Sequence, residues 1–328
     1  MVCSGQFFGE ENFHPSEMQQ KRNIRLLISF GVLFIATISV FISFNKESQV
    51  VVDKNLFRVA DFTKIDKVIL KKEGQPVELK FDGARWKVNG QLADRNMIDV
   101  LFAALQQAEP KRPVAESMQD SISTMLKKEG VKVSLYSTDI LQMGFIAGGN
   151  LNKTQAYFES PIENESYVIV IPGYRVYASG IFELDENGWK DKYVFNFNWR
   201  NFQTLRASFP YNPKSDFEVT MGKVYFEVRG GTSVDTTKLN DFLDAVSLLT
   251  VDRYVKKEEV SEYDSLLKTK PVLELQVSDV SGKSYSLWVY ESGSETSVLG
   301  IIQGTQPAFF DRRKLTGVFK TRNWFVKN

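Results

Sequence analysis

Carboxylates are the only side chains whose type and spacing could do chemistry in most of this sequence. Glu183-Leu184-Asp185-Glu186 and the later Glu258, Glu259 and Glu262 place acids close together. Glycoside hydrolysis needs only two such groups, one as acid and one as base or nucleophile. Surface turns and solvated helix faces produce the same clusters far more often. Imidazole and thiol chemistry is confined to the N-terminus, because the one histidine is His14 and the one cysteine is Cys3. Beyond residue 14 no Ser-His-Asp or Cys-His nucleophile can be assembled. No disulfide can form there, so stability must come from core burial. The nitrogen and sulfur ligands preferred by zinc, copper and iron are also missing.

Nucleotide chemistry finds no footing either. The sequence has no phosphate-cradling loop ending in Gly-Lys-Ser or Gly-Lys-Thr, and no dinucleotide-binding glycine pattern after a strand, so any ATP hydrolysis would belong to a partner. Gly148-Gly149-Asn150 and Gly230-Gly231-Thr232 read as turns. A calcium site within Asp185–Asp191 would lack the EF-hand spacing. The expectation is a protein that is not an enzyme, with no catalytic residue, no cofactor and no metal. Its 41 basic and 40 acidic residues give a net charge of +1. Removing Lys21, Arg22, Arg25, Glu10, Glu11 and Glu17 leaves 38 and 37 in the body. A body this close to neutral has no broad field for a polyanion, so no nucleic-acid partner is expected.

The element that must position everything else is apolar. Leu26–Phe44 is nineteen residues without a charge, spanning about 28 Å as a helix, close to a bilayer's hydrocarbon thickness. Leu26, Phe30, Leu33, Phe34, Ile38, Phe41 and Phe44 are its lipid-facing candidates. Lys21, Arg22 and Arg25 precede it, which places the N-terminus in the cytoplasm and the remainder across the inner membrane, on the periplasmic side. A cleaved signal peptide is the rival reading; the length of the run and the lack of a small-x-small site before Asn45 favour an anchor. Met18, followed by Gln-Gln-Lys-Arg-Asn-Ile-Arg, reads as the translation start. The expected layout is a cytoplasmic tail over 1–25, a transmembrane helix over 26–44, a linker over 45–56, and modules over 57–200 and 201–328.

Two modules are expected because the body repeats. At an offset of 140, Phe62, Glu78, Val88 and Gly90 meet Phe202, Glu218, Val228 and Gly230. At an offset of 141, Asp94, Ala104, Arg112 and Val114 meet Asp235, Ala245, Arg253 and Val255. In each half, short alternating strands are followed by an Asp-capped amphipathic helix. Met97, Ile98, Leu101, Phe102, Leu105 and Ala108 form one apolar stripe, and Leu239, Phe242, Leu243, Val246 and Leu249 form the other. Asp82-Gly83 reads as a two-residue hairpin turn, Pro110 as a helix stop, and Gly130 as a left-handed helix end. Further strands are expected over 131–136, 141–147, 155–159, 167–171 and 175–178, then over 272–277, 284–290, 297–302 and 308–310. The fold class is α+β with mostly antiparallel sheets. Trp86 aligns with Phe226, and Trp189 and Trp324 sit in similar closing segments, so these four read as core. Trp199 and Trp288 have no counterpart and are the candidates to line a groove.

With its apolar anchor, its Phe62-x-x-Ile65-x-x-Val68 segment, its Trp-containing hairpin, its Asp-capped helix leading to Arg112-x-Val114, and its Trp-Lys-Asp-Lys segment at 189–192 before Phe195-Asn-Phe, the chain resembles the domain of unknown function 4340 family over residues 57–320. The resemblance implies a bacterial envelope protein serving as an accessory subunit of an ABC-type transport system related to those linked with gliding motility. It implies no catalytic residues. The partners expected are therefore the lipid bilayer and a transporter subunit. The alternative is an envelope ligand-binding protein that takes a polysaccharide or peptide into a cleft between the modules, with a carboxylate-dependent hydrolase behind it.

Overall fold

A computed structural model describes residues 15–45, 52–59, 61–74, 76–162, 164–195, 197–198, 200–222, 225–230, 234–291 and 294–327. The chain divides into two compact units, Met1–Val52 and Asp53–Asn328. Among the described residues the first contains one helix, α1 (Pro15–Asn45). It starts eleven residues before the apolar run, because Pro15 is tolerated in a first helical turn and nothing from Ser16 to Arg25 breaks a helix. The segment expected as a tail is therefore helical from Pro15 onward. Along Arg22–Val40 the helix is long and apolar enough to cross a membrane, and none of that stretch is buried.

The second unit is α+β with two antiparallel sheets. The first half contains β1 (Lys67–Lys71), β2 (Val77–Phe81), β3 (Trp86–Val88), β4 (Gln91–Leu92), α2 (Arg95–Gln107), β5 (Glu109–Pro113) and α3 (Glu116–Glu129). It continues with β6 (Val131–Ser137), β7 (Ile140–Gly149), β8 (Ala156–Ser160), β9 (Glu165–Val170) and the single-turn α4 (Glu186–Trp189). The second half contains β10 (Phe202–Ser208), β11 (Phe217–Met221), β12 (Phe226–Val228), α5 (Thr236–Ser247), β13 (Arg253–Tyr254) and α6 (Asp264–Leu267). It ends with β14 (Leu273–Asp279), β15 (Ser284–Tyr290), β16 (Ser297–Ile302), β17 (Gln306–Asp311) and α7 (Arg312–Val318). Among the described residues the sheets run β4-β3-β2-β1-β6-β7-β8-β9-β5 and β12-β11-β10-β14-β15-β16-β17-β13.

Period-two alternation puts Val68 and Leu70 of β1 into the core while Lys71 stays in solvent. Asp94 caps α2 by accepting the amide hydrogens of Asn96 and Met97, and the helix buries Ile98, Leu101, Ala104 and Leu105. Asp235 caps α5 in the same way, through Thr237 and Lys238. There Leu239, Phe242, Leu243 and Val246 join Leu205, Val219, Leu287 and Phe310 in the second core. Each such side chain contributes about 1.5–3 kcal/mol by leaving water. On its other face the first sheet is covered by α3, where Ile122 and Leu126 meet Tyr157 and Val168. That double cover is why every residue of β8 is buried.

Several local expectations fail for identifiable reasons. Residues 175–178 form no strand, because β9 is already flanked by β8 and β5 and the chain turns instead over 171–174. Pro110 does follow the end of α2, which stops at Gln107 with Ala108 as its C-cap, but it also lies in β5, whose two prolines are tolerated because β5 is the sheet edge. Gly130 follows α3 with φ −72, not left-handed. What requires glycine there is space, since a Cβ would sit 2.4 Å from the Leu126 carbonyl oxygen. Gly148 and Gly149 end β7 rather than forming a turn. The hairpin turn takes four residues, Asp82–Arg85, because Phe81 pairs with Trp86. Phe62 lies in a 3-10 turn while Phe202 begins β10, so those two do not occupy equivalent elements.

Candidate functional site at the junction of the sheets

The Trp-Lys-Asp-Lys segment is where the two halves of the second unit are tied together. Asp185 accepts the Gly188 amide hydrogen and starts α4, whose Trp189 is 0% exposed. The Asp94 amide donates to the Trp189 carbonyl at 2.8 Å and the Asp191 amide donates to Leu92 at 2.9 Å. Lys190 bridges Ala93 between them, so the segment extends the β4 edge. Two residues later its partners change. The Val251 amide donates to Lys192 at 2.7 Å, Tyr193 bridges Thr250, and the Val194 amide donates to Leu249 at 3.1 Å. The Tyr254 hydroxyl donates to the Asp191 carbonyl at 2.6 Å. Lys190–Val194 is thus a strap paired to the first half at one end and to the second at the other.

Its charges are held tightly. Lys190 is 7% exposed, with its ammonium 2.7 Å from Glu186 and 3.1 Å from the Asn187 amide oxygen. The ammonium also stands 5.6 Å from the Tyr254 ring centroid, a favourable cation–π distance. Burial pushes the Asp191 carboxyl above its ordinary range, with the Asp94 charge adding to it. The Tyr193 amide bond and the Arg85 guanidinium pull it back in part. Burial, and then the nearby Asp191 charge, raise the Tyr254 phenol.

Clefts open beside the strap. One, with a volume of about 880 Å³, is walled by Phe81, Trp86 and Phe102 from the first half and by Thr250, Asp252 and Lys314 from the second. Another, of about 910 Å³, reaches Asp279, Lys283 and Tyr285. Arg85, Asp191 and Tyr193 line both. The four-residue turn carries Arg85 into this position, and its charge is felt at both Asp191 and Tyr285. A third, of about 660 Å³, collects Glu183, Asp185, Glu186 and Glu258 with Lys190.

That third cleft brings Glu258 of the second acidic cluster up to the first cluster, whose three carboxylates are already engaged. Glu183 pairs with Lys153 and accepts from the Tyr177 hydroxyl. Asp185 caps α4, Glu186 holds Lys190 and Asn89, and Glu259 pairs with Arg253. No group of three or more His, Cys, Asp or Glu side chains converges to hold a metal among the described residues. Of the anchor candidates, Leu26, Phe30, Leu33, Phe34 and Ile38 are all exposed, from 42% at Ile38 to 69% at Phe30 and Leu33. Phe41 and Phe44 lie in α1, with side chains outside the described set. Trp288 is half-buried on β15 opposite Glu274 and Ile301 and lines none of these three clefts. Trp199 lies outside the described residues. Trp324 is half-buried against the second core, and the residue bonded as Trp189 is bonded turns out to be Phe325, whose carbonyl accepts the Asp235 amide hydrogen at 2.8 Å.

The junction residues Arg85, Tyr193 and Asp191 do not stand out locally. The Trp-Lys-Asp-Lys segment is the one signal that leads to Asp191 and the adjoining Tyr193, and nothing local leads to Arg85. No protein-family model, curated protein or solved structure matches the chain.

Proposed function

We propose that the chain is a non-catalytic scaffold anchored in the inner membrane by α1, with a duplicated α+β module on the periplasmic side acting as an accessory component of an ABC-type transport or envelope system. The observation that carries this reading is the helix: Leu26, Leu27, Ile28, Val32 and Leu33, which point in directions right round its axis, are all exposed. A helix apolar all round is stable in lipid, and it has no polar face to present to water. Lys21, Arg22 and Arg25 set the orientation. The resemblance to the domain of unknown function 4340 family points to the same kind of role.

The duplication is supported by strand order and register. Apart from β4, the two sheet orders correspond strand for strand. Val68 faces Leu79 and Leu135 as Leu205 faces Val219 and Val277. Leu79 faces Val88 as Val219 faces Val228. Arg112 faces Val168 as Arg253 faces Phe309. Gly90 and Gly230 both have positive φ, +84 and +71. A module repeated with its core intact, and tied by a strap, gives rigid shape, which is what a binding surface requires.

The test is to add protease to intact spheroplasts and to solubilise the native membrane for purification. Digestion of residues 53–328 from outside, with a permease or ATPase subunit co-purifying, is the expected result. A body protected until lysis overturns the topology, and a chain that purifies alone overturns the accessory role. A second reading, ligand capture between the modules, is favoured by the clefts beside the strap.

A further inference from the structure

The cleft beside α2 has the composition of a site rather than of a seam. Its first-half wall is a run of touching rings: Phe81 and Trp86 have centroids 5.8 Å apart, and Trp86 and Phe102 5.3 Å apart. Across from them Tyr193 is 52% exposed on the strap. Four carboxylates and four cationic side chains line the same space, so it has no net charge with which to select a polyanion or a polycation. Its volume of about 880 Å³ falls within the range of small-ligand sites, about 300–1,000 Å³.

An extended peptide would need free main-chain groups along a strand edge. The β4 edge that borders this cleft has already spent them, because the strap pairs with Leu92, Ala93 and Asp94. On the other side Thr250 and Val251 are paired with Tyr193 and Lys192. What remains is side-chain chemistry: flat aromatic faces, a guanidinium, and carboxyl groups. Sugar rings match that set, with C–H faces that lie on aromatic rings and hydroxyl edges that bond to planar polar groups.

We propose that this cleft binds a neutral saccharide chain, with Trp86 and Tyr193 as stacking surfaces and Arg85 and Asp191 as hydroxyl partners. The Asp191 carboxylate would accept a hydrogen from a sugar hydroxyl, and the Arg85 guanidinium would donate to a sugar oxygen. The inference stands on the cleft alone and holds on whichever side of a membrane the body lies.

The test uses the full chain in a detergent without a sugar headgroup, titrated with chitohexaose and cellohexaose and followed by calorimetry. Saturable binding of at least one is expected, weakened about tenfold or more in Tyr193→Ala and in Trp86→Ala through loss of a stacked ring. Trp324→Ala, outside the cleft, should bind as the parent does. Tyr193 is an exposed side chain, so its variant keeps the test sharp if Trp86→Ala fails to fold. Absence of saturable binding at millimolar sugar overturns the proposal. So does unchanged binding by Tyr193→Ala, or binding of an extended Ser/Thr heptapeptide with neither sugar bound.

Discussion

Trp189 and Phe325 hold the same place in the hydrogen bonding of their halves. Each carbonyl accepts the amide hydrogen of a helix-capping aspartate, Asp94 or Asp235, and each ring is buried. The continuations of the chain beyond them differ. After Trp189 the chain passes through Lys190–Val194 to pair with Leu249, Thr250 and Val251 of the second half. After Phe325 it stays at home: Val326 bridges Val234, and the neighbouring Trp324 sits near the ammonium groups of Lys238 and Lys320. The same staple therefore serves each core, and only the continuation after Trp189 borders the two clefts at the junction. Where two halves share strand order and register, the departures between them are where a site is to be sought.

Removing the two rings tests this most forcefully. Trp189→Ala and Phe325→Ala each delete a fully buried aromatic side chain and should each cost about 3–5 kcal/mol in urea unfolding. Only Trp189→Ala should also loosen the junction, read as faster proteolysis within residues 195–201. If Phe325→Ala exposes that segment equally, the two staples are not functionally distinct and the comparison fails.

The capping aspartates come next. Asp94→Ala and Asp235→Ala both remove a side chain that accepts two amide hydrogens, so each should cost about 1 kcal/mol. A matched pair of losses sharpens the equivalence of the halves. A clearly larger loss for Asp94 would mean that its position beside Asp191 matters to the fold as well. Gly90→Ala and Gly230→Ala should also cost about 1 kcal/mol through their positive φ. Gly230→Ala is the worse of the two, since its Cβ would approach the Arg322 guanidinium at 3.3 Å. Thermal unfolding of the four variants ranks them.

Those caps were legible in the sequence because capping is local: an aspartate, a helical stripe and the right spacing suffice. So were β15 and β16, whose bounds match expectation. Sheet edges were not legible. Pro110 reads correctly as the end of α2, but the strand that contains it stays hidden unless one knows that no strand lies beyond it. The offset placing Phe62 with Phe202 fails because the loop after β1 has five residues, 72–76, while that after β10 has eight, 209–216. Register is set by pairing across the sheet, which a single offset cannot follow. The cleft was hidden for the same reason, since Arg85, Asp191 and Asp252 belong to segments brought together only by the strap.

The smallest expected effect isolates the strap's charge. Asp191→Asn keeps an oxygen to accept the Tyr193 amide hydrogen, now at 3.1 Å, and removes ionisation. Because the Asp191 carboxyl is raised in the folded chain, mainly by burial, the folded state binds its proton more tightly than the unfolded state does. That contribution is fully present below the ordinary carboxylate range, about pH 4, and is lost as pH rises through the folded value. Asp191→Asn should therefore unfold at higher urea than the parent at pH 7, by well under about 1 kcal/mol because the carboxyl is partly solvated. The gap should close as the pH falls toward about 4. The same substitution has no counterpart in the second half, where the chain after Phe325 carries Val326 and Lys327. A gap of opposite sign at pH 7 would place the charge of Asp191 in a stabilising ion pair, and a gap that persists at low pH would make the difference one of packing; either removes the distinction between strap and staple.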